Sequence, residues 1–116
     1  MPHFPTGNEA CPHFTCRSAF RRDRSLTMRI TAELSLYPLA PDFVGHITDF
    51  IVELRREPGL EIVTNQMSTQ VRGEFDVVLA AVGRCTRAAM ERVHPVVLVA
   101  KFLNADLEIA SAPTVP

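Results

Sequence analysis

Seven side chains in two short stretches carry most of the chemistry this sequence offers. Glu33, Ser35 and Tyr37 alternate along one stretch, while Asn65, Ser68, Thr69 and Gln70 crowd into another. Together they supply one carboxylate, several neutral hydrogen-bonding groups and one aromatic ring. The second stretch sits between an apolar run, Leu60–Thr64, and a long amphipathic segment starting near Phe75, and its side chains do not suit a buried core. A polar strand face of this kind either lines a small-molecule site or meets a second subunit. Bond-breaking chemistry is not expected, because no nucleophile is paired with a plausible base: Cys85 lies on a helical stripe and His94 precedes a proline.

The elements that must position these groups follow from periodicity. Between Met28 and Tyr37, Ile30, Ala32, Leu34 and Leu36 alternate with Arg29, Thr31, Glu33, Ser35 and Tyr37, which predicts a strand with one buried face. Pro38 stops it. Asp42 is placed to cap a helix whose apolar stripe is Phe43, Ile47, Phe50, Ile51 and Leu54, with Arg55 and Arg56 in the last turn and Pro58–Gly59 beyond. His46, at the margin of that stripe, reads as a partly exposed helix histidine. Leu60–Asn65 and Met67–Glu74 are too close in sequence to be anything but an antiparallel hairpin. Asn65 suits the left-handed conformation of a tight turn, but Gln66 is a poor second turn residue, so a bulge or a slightly longer loop is expected. On the third strand Ser68, Gln70 and Arg72 share one face, and Thr69, Val71 and Gly73 the other. A second helix carries Phe75, Val78, Leu79, Val82, Thr86, Ala89, Met90 and Val93 on its stripe and ends before Pro95; Val96–Leu103 is the fourth strand.

The order βαββαβ predicts a ferredoxin-like α+β fold, a four-stranded antiparallel sheet with two helices on one face. Strands one and three are central neighbours in that topology, so Glu33, Ser35 and Tyr37 fall beside Ser68, Gln70 and Arg72 on the face without helices. Val63, Val97, Val99 and Leu103 add apolar area to it, and a bare apolar sheet face predicts coverage by another copy. Polar groups ringed by apolar ones within such an interface describe a ligand pocket. Thr69 has the alternative of facing the core, Glu33 that of bridging Arg72 or Arg29, and Ser68 and Gln70 that of bonding between subunits.

Length and composition bound these readings. At 116 residues the chain holds one domain, and 47% apolar with 22% charged residues places it among globular proteins. A net charge of -1 gives no reason to expect nucleic acid or an anionic membrane as partner. No apolar run reaches the roughly 18 residues of a membrane span. Three cysteines, Cys11, Cys16 and Cys85, suggest no disulfide framework, so a reducing cytoplasm is expected. Residues 1–27 lack a sustained period and are expected to be a disordered N-terminal extension, with Met28 a natural start. His3, Cys11, His13 and Cys16 match no compact zinc pattern, the stretch lacks the apolar run of a secretory signal, and no metal or cofactor is expected. The domain is expected over residues 28–107 and a flexible tail over 108–116.

The stretch Met28-Arg29-Ile30-Thr31-Ala32-Glu33-Leu34-Ser35-Leu36-Tyr37-Pro38-Leu39, followed by Asn65-Gln66-Met67-Ser68-Thr69-Gln70-Val71-Arg72-Gly73-Glu74-Phe75-Asp76, resembles the YkoF-like thiamine/hydroxymethylpyrimidine-binding family. The resemblance spans about Met28 to Leu107. It implies a ferredoxin-like fold, assembly through the sheets into dimers or tetramers, and binding of thiamine or its pyrimidine part in uptake or salvage. The family's archetype carries two such units in tandem; one unit is expected to pair with itself. An aminopyrimidine offers a donor amino group beside ring-nitrogen acceptors, and thiamine adds a cation, so Glu33 is the expected carboxylate. Ser35, Asn65, Ser68, Thr69 and Gln70 are the expected hydrogen-bond partners and Tyr37 the expected stacking lid.

Other functions of the fold fit less well. Acylphosphatases need a phosphate-cradling loop where this chain has Pro38-Leu39-Ala40-Pro41, metal chaperones need a Cys-x-x-Cys there, and RNA-recognition motifs need aromatics where this chain has Ser35 and Gln70. The competing expectation is a regulatory or oligomerisation module with another ligand or none.

Overall fold

The structure, a computed structural model, describes residues 27–116. The expected disorder of the leader and the zinc option at His3, Cys11, His13 and Cys16 lie outside the described residues. In chain order the elements are β1 (Arg29–Pro38), α1 (Phe43–Arg55), β2 (Glu61–Thr64), β3 (Thr69–Glu74), α2 (Phe75–Arg92) and β4 (Val96–Leu103). The four strands form one sheet in the order β2-β3-β1-β4, with every neighbouring pair antiparallel. This is the ferredoxin-like α+β arrangement predicted from the periodicities.

Alternation decides which side of the sheet the helices take. Ile30, Ala32, Leu34 and Leu36 of β1 are buried, as are Val71 of β3, Phe50 and Leu54 of α1, and Val78, Val82 and Cys85 of α2. Burying a side chain such as Phe50 or Leu54 is worth about 1.5–3 kcal/mol, so this layer supplies the main cohesion. The core stripe of α2 is centred slightly differently from the sequence expectation. Ala81 and Cys85 belong to it, whereas Phe75, Leu79 and Met90 stand at its exposed margins.

Each helix starts in its own way. Asp42 is at the expected cap position of α1 but makes no side-chain cap bond; its Oδ1 lies 3.2 Å from His46 Nε2 instead. The cap of α2 is Glu74, whose carboxylate accepts from the backbone N–H groups of Asp76 and Val77. After α1 the chain turns through Gly59 at a φ of 83°, open to glycine without strain. The close approach of that turn to β3 demands a second glycine: a Cβ on Gly73 would sit 2.7 Å from Leu60 Cδ2 and 3.1 Å from Gly59 O.

The open face of the sheet is divided into two ends. At the end where β1 begins, the segment after β4 turns back across the sheet, and Thr31 Oγ1 donates to Ala105 O (2.8 Å) while accepting from Leu107 N (3.0 Å). Asp106 bridges two strands, taking Arg29 Nε at 3.2 Å on one oxygen and Arg72 Nε at 2.8 Å on the other. Arg72 also pairs with Glu61 at 3.0 Å. Thr31, on the face without helices, is consequently only 6% exposed. At the other end none of the described residues covers Tyr37, Val97 or Val99, each about half exposed.

Candidate functional site

The site arises from a mismatch in strand length. β1 pairs with β4 as far as Pro38, but with β3 only as far as Leu34. Beyond Leu34 the sheet has a notch, with Ser35–Pro38 on one side and the loop Asn65–Ser68 on the other. Backbone groups alternate sides along a strand, so half of those in Ser35–Pro38 turn toward the notch without a strand partner. α1 roofs it from the helical side. The resulting cleft has a volume of about 410 Å³ and is walled by Leu34–Leu39 of β1 and its exit, Phe43, Ile47, Phe50 and Ile51 of α1, and Thr64–Thr69 of the hairpin. That volume lies in the usual range for small-molecule pockets. No charged residue lines it.

The loop is held by its own polar groups. Asn65 Oδ1 accepts from Met67 N (2.8 Å) and Ser68 N (3.0 Å), and Asn65 N donates to Ser68 O (3.0 Å). Apart from glycine, no described residue takes a positive φ. Asn65 therefore sets the turn through its side-chain carbonyl rather than through the left-handed backbone expected from the sequence. The expected lengthening of the loop is observed, and β3 begins at Thr69 rather than Met67. Met67 projects from the loop at 84% exposure.

Beside the notch, on the open face, lies a hydrogen-bonded polar chain. Ser68 Oγ donates to Glu33 Oε2 at 2.8 Å and accepts from Gln70 Nε2 at 2.9 Å. Lys101 Nζ lies 3.2 Å from Glu33 Oε1. The Ser68 hydroxyl, followed by Lys101, holds the Glu33 carboxyl below its ordinary value, so it is ionised at neutral pH. Glu33 was expected to find Arg72 or Arg29 if it were structural; both are engaged by Asp106 instead, and its cation is Lys101 of β4, placed opposite by strand register.

The seven residues singled out from the sequence thus split between two adjoining places. Ser35, Tyr37, Asn65, Ser68 and Thr69 line the cleft, whereas Glu33 and Gln70 stand on the open face, joined to the cleft wall through Ser68. Thr69 points to the helical side, paired with Leu34, is buried, and shares a 3.0 Å hydrogen bond with Thr64. Thr69 thus takes the core-facing alternative, and the concavity is bounded by the helical layer as well as by the strands. Sequence reasoning missed the α1 wall. Its signal was present, since Phe43, Ile47, Phe50 and Ile51 make a stripe wider than Phe50 and Leu54 need for the core.

Among the described residues no group of His, Cys, Asp and Glu could hold a metal ion, and no helix is long and apolar enough to cross a membrane. Cys85 is buried, and burial pushes its thiol up to about 11, which leaves it a packing residue.

Fold and site together define a ferredoxin-like domain with an uncharged cleft at a break in its sheet. The chain belongs to the thiamine-binding protein family, whose model matches residues 32–104. Solved structures share the architecture. A domain of unknown function from Bacillus cereus is 22% identical with a TM-score of 0.60, covering 78% of this chain and 86% of its own. A Streptococcus pneumoniae protein is 23% identical at a TM-score of 0.62, covering 72% and 92%. A Thermotoga maritima protein, provisionally assigned to thiamine biosynthesis or salvage, is 19% identical at 0.57, covering 70% and 90%. At these identities the likeness speaks for the fold alone. No curated protein sequence matches the chain significantly.

Proposed function

We propose that this chain is a non-enzymatic binding protein for thiamine or its hydroxymethylpyrimidine part, serving precursor uptake or salvage in the cytoplasm. The observation that carries this reading is the cleft: about 410 Å³, walled by apolar and neutral polar residues, in a chain of the thiamine-binding family. A planar aminopyrimidine meets Phe43, Ile47 and Ile51 with its faces, and the amides and hydroxyls of the notch with its edge. The Ser68 hydroxyl, already donating to Glu33 and accepting from Gln70, retains one lone pair for an amino group. Glu33, at the cleft's border on the open face, suits the thiazolium cation of thiamine. The half-exposed Tyr37, Val97 and Val99 favour a second copy stacked on that end of the sheet, giving a homodimer or homotetramer.

Isothermal titration of the full chain with thiamine and with hydroxymethylpyrimidine tests the proposal. The expected result is saturable binding at micromolar Kd or tighter, about -8 kcal/mol; two flat titrations with folded protein leave only a structural module. Glu33→Gln is expected to weaken thiamine about tenfold without dissociating the oligomer. Dissociation would show the residue to be an interface bridge.

A further inference from the structure

The charges around the cleft say which form of ligand it admits. The lining is uncharged, and the two acidic groups that adjoin it stand on different walls. Glu33 is bonded to the lining residue Ser68. Asp42 immediately precedes the lining residue Phe43 and keeps its side chain 76% exposed. The cations nearby are already engaged. Lys101 is held by Glu33, and Arg29 and Arg72 by Asp106. Among the remaining described cations, Arg87 and Arg92 pair with acids of the helices and Arg84 with Glu57 in the turn after α1. Arg55 and Arg56 stand at the other end of α1 from Phe43.

The structural feature best able to attract an anion here is the start of α1, whose first backbone N–H groups point out of the helix. Asp42 occupies that position, and because its carboxylate makes no cap bond, its charge is left unneutralised by those amides. Only His46, 3.2 Å away, faces it. Around the cleft an anionic ligand group therefore has Asp42 beside the lining residue Phe43 and the Glu33–Lys101 pair behind the lining residue Ser68.

We infer that Asp42, unneutralised at the start of α1, and Glu33, which occupies Lys101, make this a site for unphosphorylated ligands, admitting neutral or cationic heterocycles and rejecting their phosphate esters. The inference rests on the proposed binding of thiamine or its pyrimidine and adds the discrimination to it. A phosphate monoester brings close to two negative charges at neutral pH; among the described residues every cation beside the cleft is already paired with an acid, and Asp42, faced only by His46, repels them. The protein would accordingly bind the form that precedes kinase action or follows phosphatase action, and release it once a phosphoryl group is added.

The test is calorimetric titration of the full chain with thiamine, thiamine monophosphate and hydroxymethylpyrimidine. Thiamine monophosphate is expected to bind at least about tenfold more weakly than thiamine at low ionic strength. Raising salt from about 50 mM to 500 mM shrinks that ratio, because the repulsion crosses solvent. Asp42→Asn, which keeps a good helix-start residue, narrows the ratio about threefold or more. Equal affinity for thiamine and its monophosphate overturns the inference while leaving the functional reading intact. So does a gap that neither salt nor Asp42→Asn moves, which would be steric. Binding of none of the three compounds overturns the functional reading and the inference with it.

Discussion

The two ends of the open sheet face are built from similar materials and end in opposite states. At one end Arg29, Thr31 and Arg72 find partners within the chain, because residues 105–108 lie across them and Asp106 ties two strands together. At the other end Glu33, Ser68 and Gln70 form a chain of hydrogen bonds that stops at the notch, with Tyr37, Val97 and Val99 left half exposed. On our proposal, the difference locates function. A row of charges satisfied by its own tail is a clasp, whereas the polar groups that border the cleft and retain free valences are where we propose that a ligand binds.

The comparison can be broken most severely at the cleft. Ile47→Trp adds an indole to the α1 wall where the ligand is proposed to lie, and thiamine binding is expected to fall about a hundredfold or more while the circular dichroism spectrum is unchanged. Retained affinity would move the ligand away from the notch. Gly73→Ala strikes the closed end. Its Cβ meets Leu60 and the Gly59 carbonyl, one of them backbone, so unfolding in urea should show a loss of about 1–3 kcal/mol, with the affinity of the folded fraction unaltered. The smallest effect belongs to Asp106→Asn, which should slightly lower the melting temperature at neutral pH and expose the Leu107 amide to faster hydrogen exchange. Its pH dependence has a definite sign. Hydrogen bonds from Arg72, then Arg29, hold the Asp106 carboxyl below its ordinary 3.8, so the clasp contributes fully above that value and is lost as pH falls through the lower folded-state value. The difference between wild type and Asp106→Asn should vanish as acidification proceeds; a difference that grows instead would contradict the assignment.

How much of this could be read from the residues alone depended on whether neighbours in sequence or neighbours in space decide it. The alternation of Ile30, Ala32, Leu34 and Leu36 against Glu33, Ser35 and Tyr37 is local, and it gave the buried and open faces of β1 correctly. Fold order then placed Glu33 beside Ser68. The Lys101 partnership depended on the register of β4 against β1, which no short-range pattern encodes. The notch depended on β3 starting at Thr69 rather than Met67, a two-residue matter settled by the Asn65 side chain capturing the next amides. Thr69 was legible as a helix-side residue from its alternation with Gln70, and the structure reconciles that placement with a cleft that reaches through the sheet. Residues 104–108 have no period at all, and Asp106 reads as any surface acid until the pairing of β1 with β3 brings together Arg29 and Arg72, which are 43 positions apart in the chain. Phe43 and Ile47 were assigned to the core because helical spacing marks an apolar stripe without saying what lies against each part of it.

The most direct measurement of the central claim is a two-dimensional amide NMR spectrum of the full chain recorded during titration with thiamine. Binding in the notch predicts shifts concentrated at Ser35, Tyr37, Ile47 and Asn65–Thr69, with Arg29, Thr31, Arg72 and Leu107 unmoved. Shifts centred on the clasped end, with the cleft residues silent, would contradict it.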